Sequence, residues 1–121
     1  MGTSALVANN GNNNTAVGWN AGATAQGSFT TGNGNVFLGN KAGYDKAGDN
    51  NQLYISNSQT QNLIVGNFSS GALTLGKDGT NAISLPAGPG AAGTVLQNTT
   101  GDGQLNWGAP AGADALDDLT D

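Results

Sequence analysis

A five-residue pattern (Asn, three strand residues, Gly) that recurs 21 positions apart does most to limit what this chain can become. Asn14-Thr15-Ala16-Val17-Gly18 returns as Asn35-Val36-Phe37-Leu38-Gly39, and each is followed at the same offset by Ala-Gly (Ala21-Gly22, Ala42-Gly43). Three strand residues make an element too short to persist as an isolated hairpin. They are stable when stacked on copies of themselves, and the flanking Asn and Gly supply the positive-φ corners that stacked turns need. A third match, Asn62-Leu63-Ile64-Val65-Gly66, comes 27 positions after the second, and Leu53-Tyr54-Ile55 reads as a further short strand.

Strand periodicity sorts these side chains into two sets, because alternate residues point to the same side. Thr15 and Val17, Val36 and Leu38, Leu63 and Val65 are expected on one face, and Ala16, Phe37 and Ile64 on the other. Phe37 and Ile64 are large and apolar, so the second face is expected to be covered as well.

The cover has to come from somewhere, and composition says where. Leu, Ile, Val and Phe total 22 of 121 residues, a share usually seen in chains that do not fold alone. Yet only 9 % of residues are charged and Pro occurs three times, which is unlike a self-repelling disordered polymer. Small chains with too little core add disulfides, metals or further subunits. There is no Cys, no His and no Glu, so neither a disulfide nor a structural zinc site is supported. Association of copies remains.

Other partner classes find little to hold. The net charge is −5, with three Lys and no Arg, and nucleic-acid binding needs a basic face. No apolar run has the length of a membrane-spanning helix, and MGTSALVANN lacks the charged-then-apolar order of a signal peptide.

Further along, ATAQGSFTTGNG (residues 23–34) is small throughout and permits close backbone approach. DKAGDNNQ (residues 45–52) reads as an exposed loop. Ala72-Leu73-Thr74-Leu75 and Ala82-Ile83-Ser84-Leu85 alternate around GKDGTN and predict a hairpin or two successive faces of a prism. PAGPGAAG is an irregular crossover. Thr94-Val95-Leu96-Gln97 and Gln104-Leu105-Asn106-Trp107 flank NTTGDG as a second hairpin, in which Trp107 closes a cluster with Leu96 and Leu105. The acidic DALDDLTD carries four of the eight Asp residues and places Leu116 and Leu119 one helical turn apart. The expected division is a repeat region over 1–70, a hairpin or prism region over 71–108, and an acidic linker or the start of a following domain over 109–121. The chain is expected to be a fragment of something longer.

The residues NNTAVGWNAGATAQGS resemble the head repeat of trimeric autotransporter adhesins. That resemblance puts Asn13 and Asn14 in the Asn-Ser slots, Thr15 and Val17 in the inward slots and Gly18 at the turn, and it implies parallel β-rolls from three chains around one axis. LPAGPGAAGTVLQNTTGDGQLNW, with its trailing LDDLTD, is similar to bacteriophage tail-fibre proteins. The irregular spacing departs from the adhesin pattern, so short turns of roll with inserted loops, then a triangular prism-like segment, are expected. Together the resemblances imply an all-β, homotrimeric fibrous β-roll/β-prism segment with Gly/Asn-rich turns. The implied role is a non-enzymatic structural and receptor-binding part of a viral (phage) tail fibre, located in the virion. The alternatives are the head of a bacterial trimeric surface adhesin, at the cell surface, and a fragment of a polysaccharide-depolymerising tail spike. Partners would be two further copies, other tail proteins, and a host surface glycan or protein receptor.

Candidate chemistry is sparse. Without His or Cys there is no Ser-His or Cys-His pair. Asp45 with Asp49, or Asp78 with Asp102, are the carboxylates outside the tail that could act on a glycosidic bond, and their Gly-rich loops suit solvated acids better. The same oxygens could ligate Ca²⁺, but neither the EF-hand nor the Gly-Gly-x-Gly-x-Asp spacing is present. No catalytic, cofactor or metal residue is assigned. Tyr44, Asp45, Asp49 and Asn50 are the candidates for surface or receptor contact. The other aromatics (Trp19, Phe29, Phe37, Tyr54, Phe68, Trp107) are expected at inter-subunit seams or core ends. The expected trimer core is Val17, Val36, Leu38, Leu63, Val65, Leu73, Leu75, Ile83 and Leu85.

Overall fold

In the computed structural model, residues 2–24, 31–46, 48–76 and 82–111 are described. Among them the protein is all-β with no helix. Eight short strands form two sheets. The first has six strands in sequence order: β1 (Thr15–Val17), β2 (Val36–Leu38), β3 (Gln52–Ser56), β4 (Asn62–Asn67), β5 (Leu73–Leu75) and β6 (Ile83–Leu85). The second pairs β7 (Val95–Gln97) with β8 (Asn106–Gly108).

The repeated phrase forms the first parallel pair. Thr15, Ala16 and Val17 lie beside Val36, Phe37 and Leu38 in register, and β3 continues the parallel run with Leu53, Tyr54 and Ile55. The segments after these strands stack too. Asn20 N–H donates to Thr3 O, Leu6 N–H to Ala21 O, Lys41 N–H to Trp19 O and Asp45 N–H to Ala23 O, all within 3.1 Å. Equivalent corners repeat the same left-handed backbone: Leu6, Gly22 and Gly43 have φ of 56, 61 and 61°.

A column of close backbone approaches sets the height of each turn. A Cβ on Gly2 would lie 2.2 Å from the Gly18 backbone, one on Gly18 2.3 Å from Gly39 O, and one on Gly39 1.8 Å from Ser56 O. The stack therefore advances in steps of 16, 21 and 17 residues, through Gly2, Gly18, Gly39 and Ser56. The third strand of the parallel run is thus Leu53-Tyr54-Ile55. The expected third copy, Asn62-Leu63-Ile64-Val65-Gly66, instead folds back antiparallel against β3. Stacking ends where Ser56 takes the glycine place.

The interior of one copy is thin. Ala16, Phe37 and Tyr54 point inward from β1, β2 and β3, and Ala21 and Ala42 meet them from the turns. Phe37 is fully buried and packs on Tyr54 with ring centroids 6.0 Å apart and planes at 17°. Gly22 and Gly43 make room for it, since a Cβ at either would fall within 2.4 Å of the Phe37 ring. Thr15 and Val17, which the adhesin resemblance places inward, lie on the opposite, exposed face. The residue enclosed from that strand is Ala16.

Asparagine side chains tie the turns together. Asn14 Oδ1 accepts Asn35 N–H at 2.9 Å, and Asn35 Oδ1 accepts Gln52 N–H at 2.8 Å. A second ladder runs the other way: Asn33 Oδ1 accepts Asn12 N–H at 2.8 Å, and Asn50 Oδ1 accepts Asn33 N–H at 2.9 Å. These amides satisfy backbone donors at corners where no strand partner exists.

The expected boundary between residues 70 and 71 is crossed by the sheet, because β4 pairs antiparallel with β5 and β5 with β6. The second hairpin attaches where Ser84 N–H donates to Gly103 O and Leu105 N–H donates to Ser84 O, both at 2.9 Å. Leu96 and Trp107 pair across β7–β8, with Trp107 Nε1 donating to Gly88 O at 2.8 Å. Both remain about two-fifths exposed, while Leu105 is half-buried. The expected helical turn at Leu116 and Leu119, and Asp78 and Phe29, lie outside the described residues.

Candidate interaction surface

Register decides which side chains share a face, because directly paired residues point the same way. The side of the six-stranded sheet away from Phe37 carries Thr15 and Val17 from β1, Val36 and Leu38 from β2, and Leu53 and Ile55 from β3. It continues with Ile64 opposite Ile55, Leu73 opposite Gly66, Leu75 opposite Ile64, and Leu85 and Ile83 opposite Leu73 and Leu75. No ionisable residue is among them. All are half-buried or exposed in a single copy, Val17 at 49 % and Ile83 at 46 %.

The opposite side behaves differently along the sheet. It is apolar where the stacked turns close over it, from Ala16 through Phe37 and Tyr54 to Val65. Beyond β4 it becomes polar: Thr74 and Ser84 are paired there, and their hydroxyls lie 3.1 Å apart. In β5 and β6, therefore, the aliphatic side chains are all on the uncovered outer face.

Seven of the nine expected core residues (Val17, Val36, Leu38, Leu73, Leu75, Ile83, Leu85) lie in register on this face. Val65 does not. It pairs with Tyr54, points inward and packs against the Phe37 cluster. Ile64, expected on the other side, takes the outer place instead, because β4 pairs with β3 one residue away from the repeat's alignment: Ile64 opposes Ile55 and Val65 opposes Tyr54, and a one-residue change of register exchanges the two faces. Leu63 follows a third rule. The register shifts between Ile55 and Ser56, so that Ile64 opposes Ile55 while Asn62 opposes Ser56. The extra residue is a β-bulge. Asn62 turns inward, its Oδ1 2.8 Å from the Ser56 hydroxyl, and Leu63 stays outside. With Leu38 and Ile55, Leu63 lines a groove of about 570 Å³ edged by Gly39, Asn57 and Gln61. Sequence reasoning missed Leu53, Ile55 and Ile64 as members of this face. Alternation in Leu53-Tyr54-Ile55 was the available signal, but the strand lacks the Asn-to-Gly frame of its neighbours.

The four expected contact residues do not form one patch of free side chains. Asn50 holds its place in the asparagine ladder, and Asp49 Oδ2 lies 3.4 Å from the Tyr54 hydroxyl. Asp45 Oδ2 accepts from Gln59 Nε2 at 3.2 Å. Tyr44 is half-buried and shares a cation with Trp19: Lys41 Nζ sits 5.8 Å from the Tyr44 ring and 5.2 Å from the Trp19 ring. Such contacts contribute about 0.5–1 kcal/mol at exposed sites, and this one joins two adjacent turns of the stack.

Among the described residues no group of three or more acidic, His or Cys side chains converges as a metal site. Among the described acids, Asp102 is held away from its ordinary titration range. Thr100 Oγ1 donates to its Oδ1 and so does Gln104 N–H, and these two bonds hold its carboxyl below the usual carboxylate range. Both bonds close the β7–β8 turn.

Compared with protein-family models, curated proteins and solved structures, the chain matches none.

Proposed function

We propose that this chain is a structural and receptor-binding segment of a viral (phage) tail fibre, assembled as a homotrimer that packs the outer faces of three six-stranded sheets around one axis. The carrying observation is the distribution of aliphatic side chains on β5 and β6. Their inward side is Thr74 and Ser84, and Leu73, Leu75, Ile83 and Leu85 all point outward. An ordinary two-faced sheet turns its apolar side to a core, so the core of this region lies outside a single copy. Fully burying a Val, Leu or Ile contributes about 1.5–3 kcal/mol, and none of the Val, Leu or Ile side chains on this face is fully buried in one copy, with Val17, Leu63, Leu75 and Ile83 openly exposed. Closed cyclic association of identical copies covers a long uncharged surface without needing a second protein.

The reading supplies a mechanism without chemistry. The asparagine ladders and glycine column set a rigid rise per turn. The polar loops around Tyr44, Asp45 and Asp49 stand away from the axis, and threefold repetition raises the avidity of weak individual contacts. The absence of His and Cys in the sequence favours binding over catalysis. The test is binding to a panel of bacterial surface polysaccharides and outer-surface extracts, run beside an assay for newly released reducing ends. Binding without release is expected. Release of reducing ends would replace this reading with a depolymerising spike, and failure to bind any surface as a verified trimer would remove the receptor role.

A further inference from the structure

Leu63 and Phe68 are the two most exposed large apolar side chains among the described residues, at 65 % and 58 %. They lie at opposite ends of one strand, Leu63 inside the start of β4 and Phe68 just past its end. Leu63 stands beside Leu38 and Ile55 in the groove at the C-terminal ends of β2 and β3. Phe68 stands at the other edge of the sheet, where its N–H donates to Asn51 O at 2.7 Å. Both edges occur at the same level of the stack, that of β3 and β4.

We infer that the groove formed by Leu38, Ile55 and Leu63 receives Phe68 of the next copy around the threefold axis. The inference rests on the trimeric reading and adds the contact that closes the ring. Rotation about an axis running along the stack leaves height unchanged, so one sheet edge of each copy meets the other edge of its neighbour at the same level. A heterologous contact of this kind closes into a ring when the rotation closes. No ionisable side chain lines the groove, so it suits an uncharged, bulky occupant. The β-bulge is what opens the pocket: without the extra residue, Leu63 would point inward with Asn62's partner and the groove would lose a wall. The uncharged groove is continuous, through Leu38 and Ile55, with the aliphatic face that the trimer covers.

The absence of Cys makes a clean test available. Leu63 and Phe68 are five positions apart on one extended strand, about 16 Å at the usual rise. A disulfide needs Cα atoms about 4.4–6.8 Å apart, so a Leu63→Cys/Phe68→Cys double variant cannot cross-link within a chain. Under oxidation it is expected to give covalent trimers on a non-reducing gel that revert to single chains with reductant, while each single variant stays uncross-linked. As a second reading, Phe68→Ala is expected to raise the trimer dissociation constant about tenfold or more, the loss seen for a buried aromatic anchor; the side chain is exposed in one copy, so the fold of the single chain is not at stake. A wild-type trimer with neither cross-linking nor a weakened Phe68→Ala variant overturns the groove contact and leaves the trimer standing. Efficient Leu63→Cys dimers overturn it in favour of a twofold contact. A monomeric wild type removes both the contact and the reading beneath it.

Discussion

Phe37 and Tyr54 stand in register on neighbouring parallel strands with their rings stacked 6.0 Å apart, and they form most of the aromatic interior of a single copy. Phe37 is completely enclosed, and two glycines and two alanines are placed to admit it. Replacing it with Ala is expected to cost about 3–5 kcal/mol, the range for deleting a buried aromatic. Urea denaturation followed by tyrosine fluorescence measures this. Ala16→Gly, at the same position one turn earlier, should cost far less, because it empties little volume.

The glycine column predicts a sharp positional contrast. Gly39 has φ +112° and leaves no room for a Cβ beside Ser56 O. Gly39→Ala combines backbone strain with a backbone clash and is expected to cost about 1–3 kcal/mol or more. Gly48→Ala meets nothing within 4 Å and is expected within about 0.5 kcal/mol of wild type. Thermal melts of the two variants side by side make the comparison.

Asn35 is fully buried and bridges turns, accepting Gln52 N–H through Oδ1 and donating from Nδ2 to Asp49 O at 2.7 Å. Asn35→Leu leaves both backbone groups without their partner, at about 1–3 kcal/mol each. Asn12→Ala, on the exposed second ladder, should be nearly silent. Hydrogen exchange at Gln52 N–H is the local readout: it should accelerate strongly in Asn35→Leu and stay protected in Asn12→Ala.

Asp102 carries the pH prediction. Its folded carboxyl titrates below the unfolded value, chiefly through the Thr100 hydroxyl and then Gln104 N–H. A depressed carboxylate contributes stability above its unfolded pKa and loses it as pH falls through the folded value. The β7–β8 turn is therefore expected to loosen only below the ordinary Asp range. Thr100→Ala should move the Asp102 titration back up toward that range, as followed by carboxyl-carbon NMR.

Much of this architecture was legible in the sequence, and what was not depends on pairings between segments distant along the chain. The Asn-to-Gly pattern shared by residues 14–18 and 35–39 predicts stacked strands, since only stacking makes use of such short elements, and the two pair in parallel and in register. The third match at residues 62–66 has the same Asn-to-Gly frame but a different job. There the pattern gives spacing but not register, and pairing Val65 rather than Ile64 with Tyr54 exchanges the two between faces. The bulge that keeps Leu63 outside depends on the Ser56–Asn62 pairing across the turn, which no local pattern announces. The described residues of the expected loop are exposed as far as Asn51, while Gln52 opens β3; Asn50 serves the stack because its ladder partner Asn33, 17 residues away, becomes a neighbour only after the turn has closed.

If the outer face is an interface, a charge placed on it should separate the copies without unfolding them. Leu75 is 38 % exposed in one copy, so in Leu75→Asp the single chain can keep its strands while the assembly loses a desolvated contact. Retained β-type circular dichroism with loss of the assembled species is the expected result.

Sedimentation equilibrium of the wild-type protein tests the central claim most directly. A single species of three times 11.9 kDa, persisting on dilution and lost in Leu75→Asp, is the predicted outcome. A stable, well-folded species of 11.9 kDa would contradict the account, because the aliphatic faces of β5 and β6 would then remain in water with nothing to cover them.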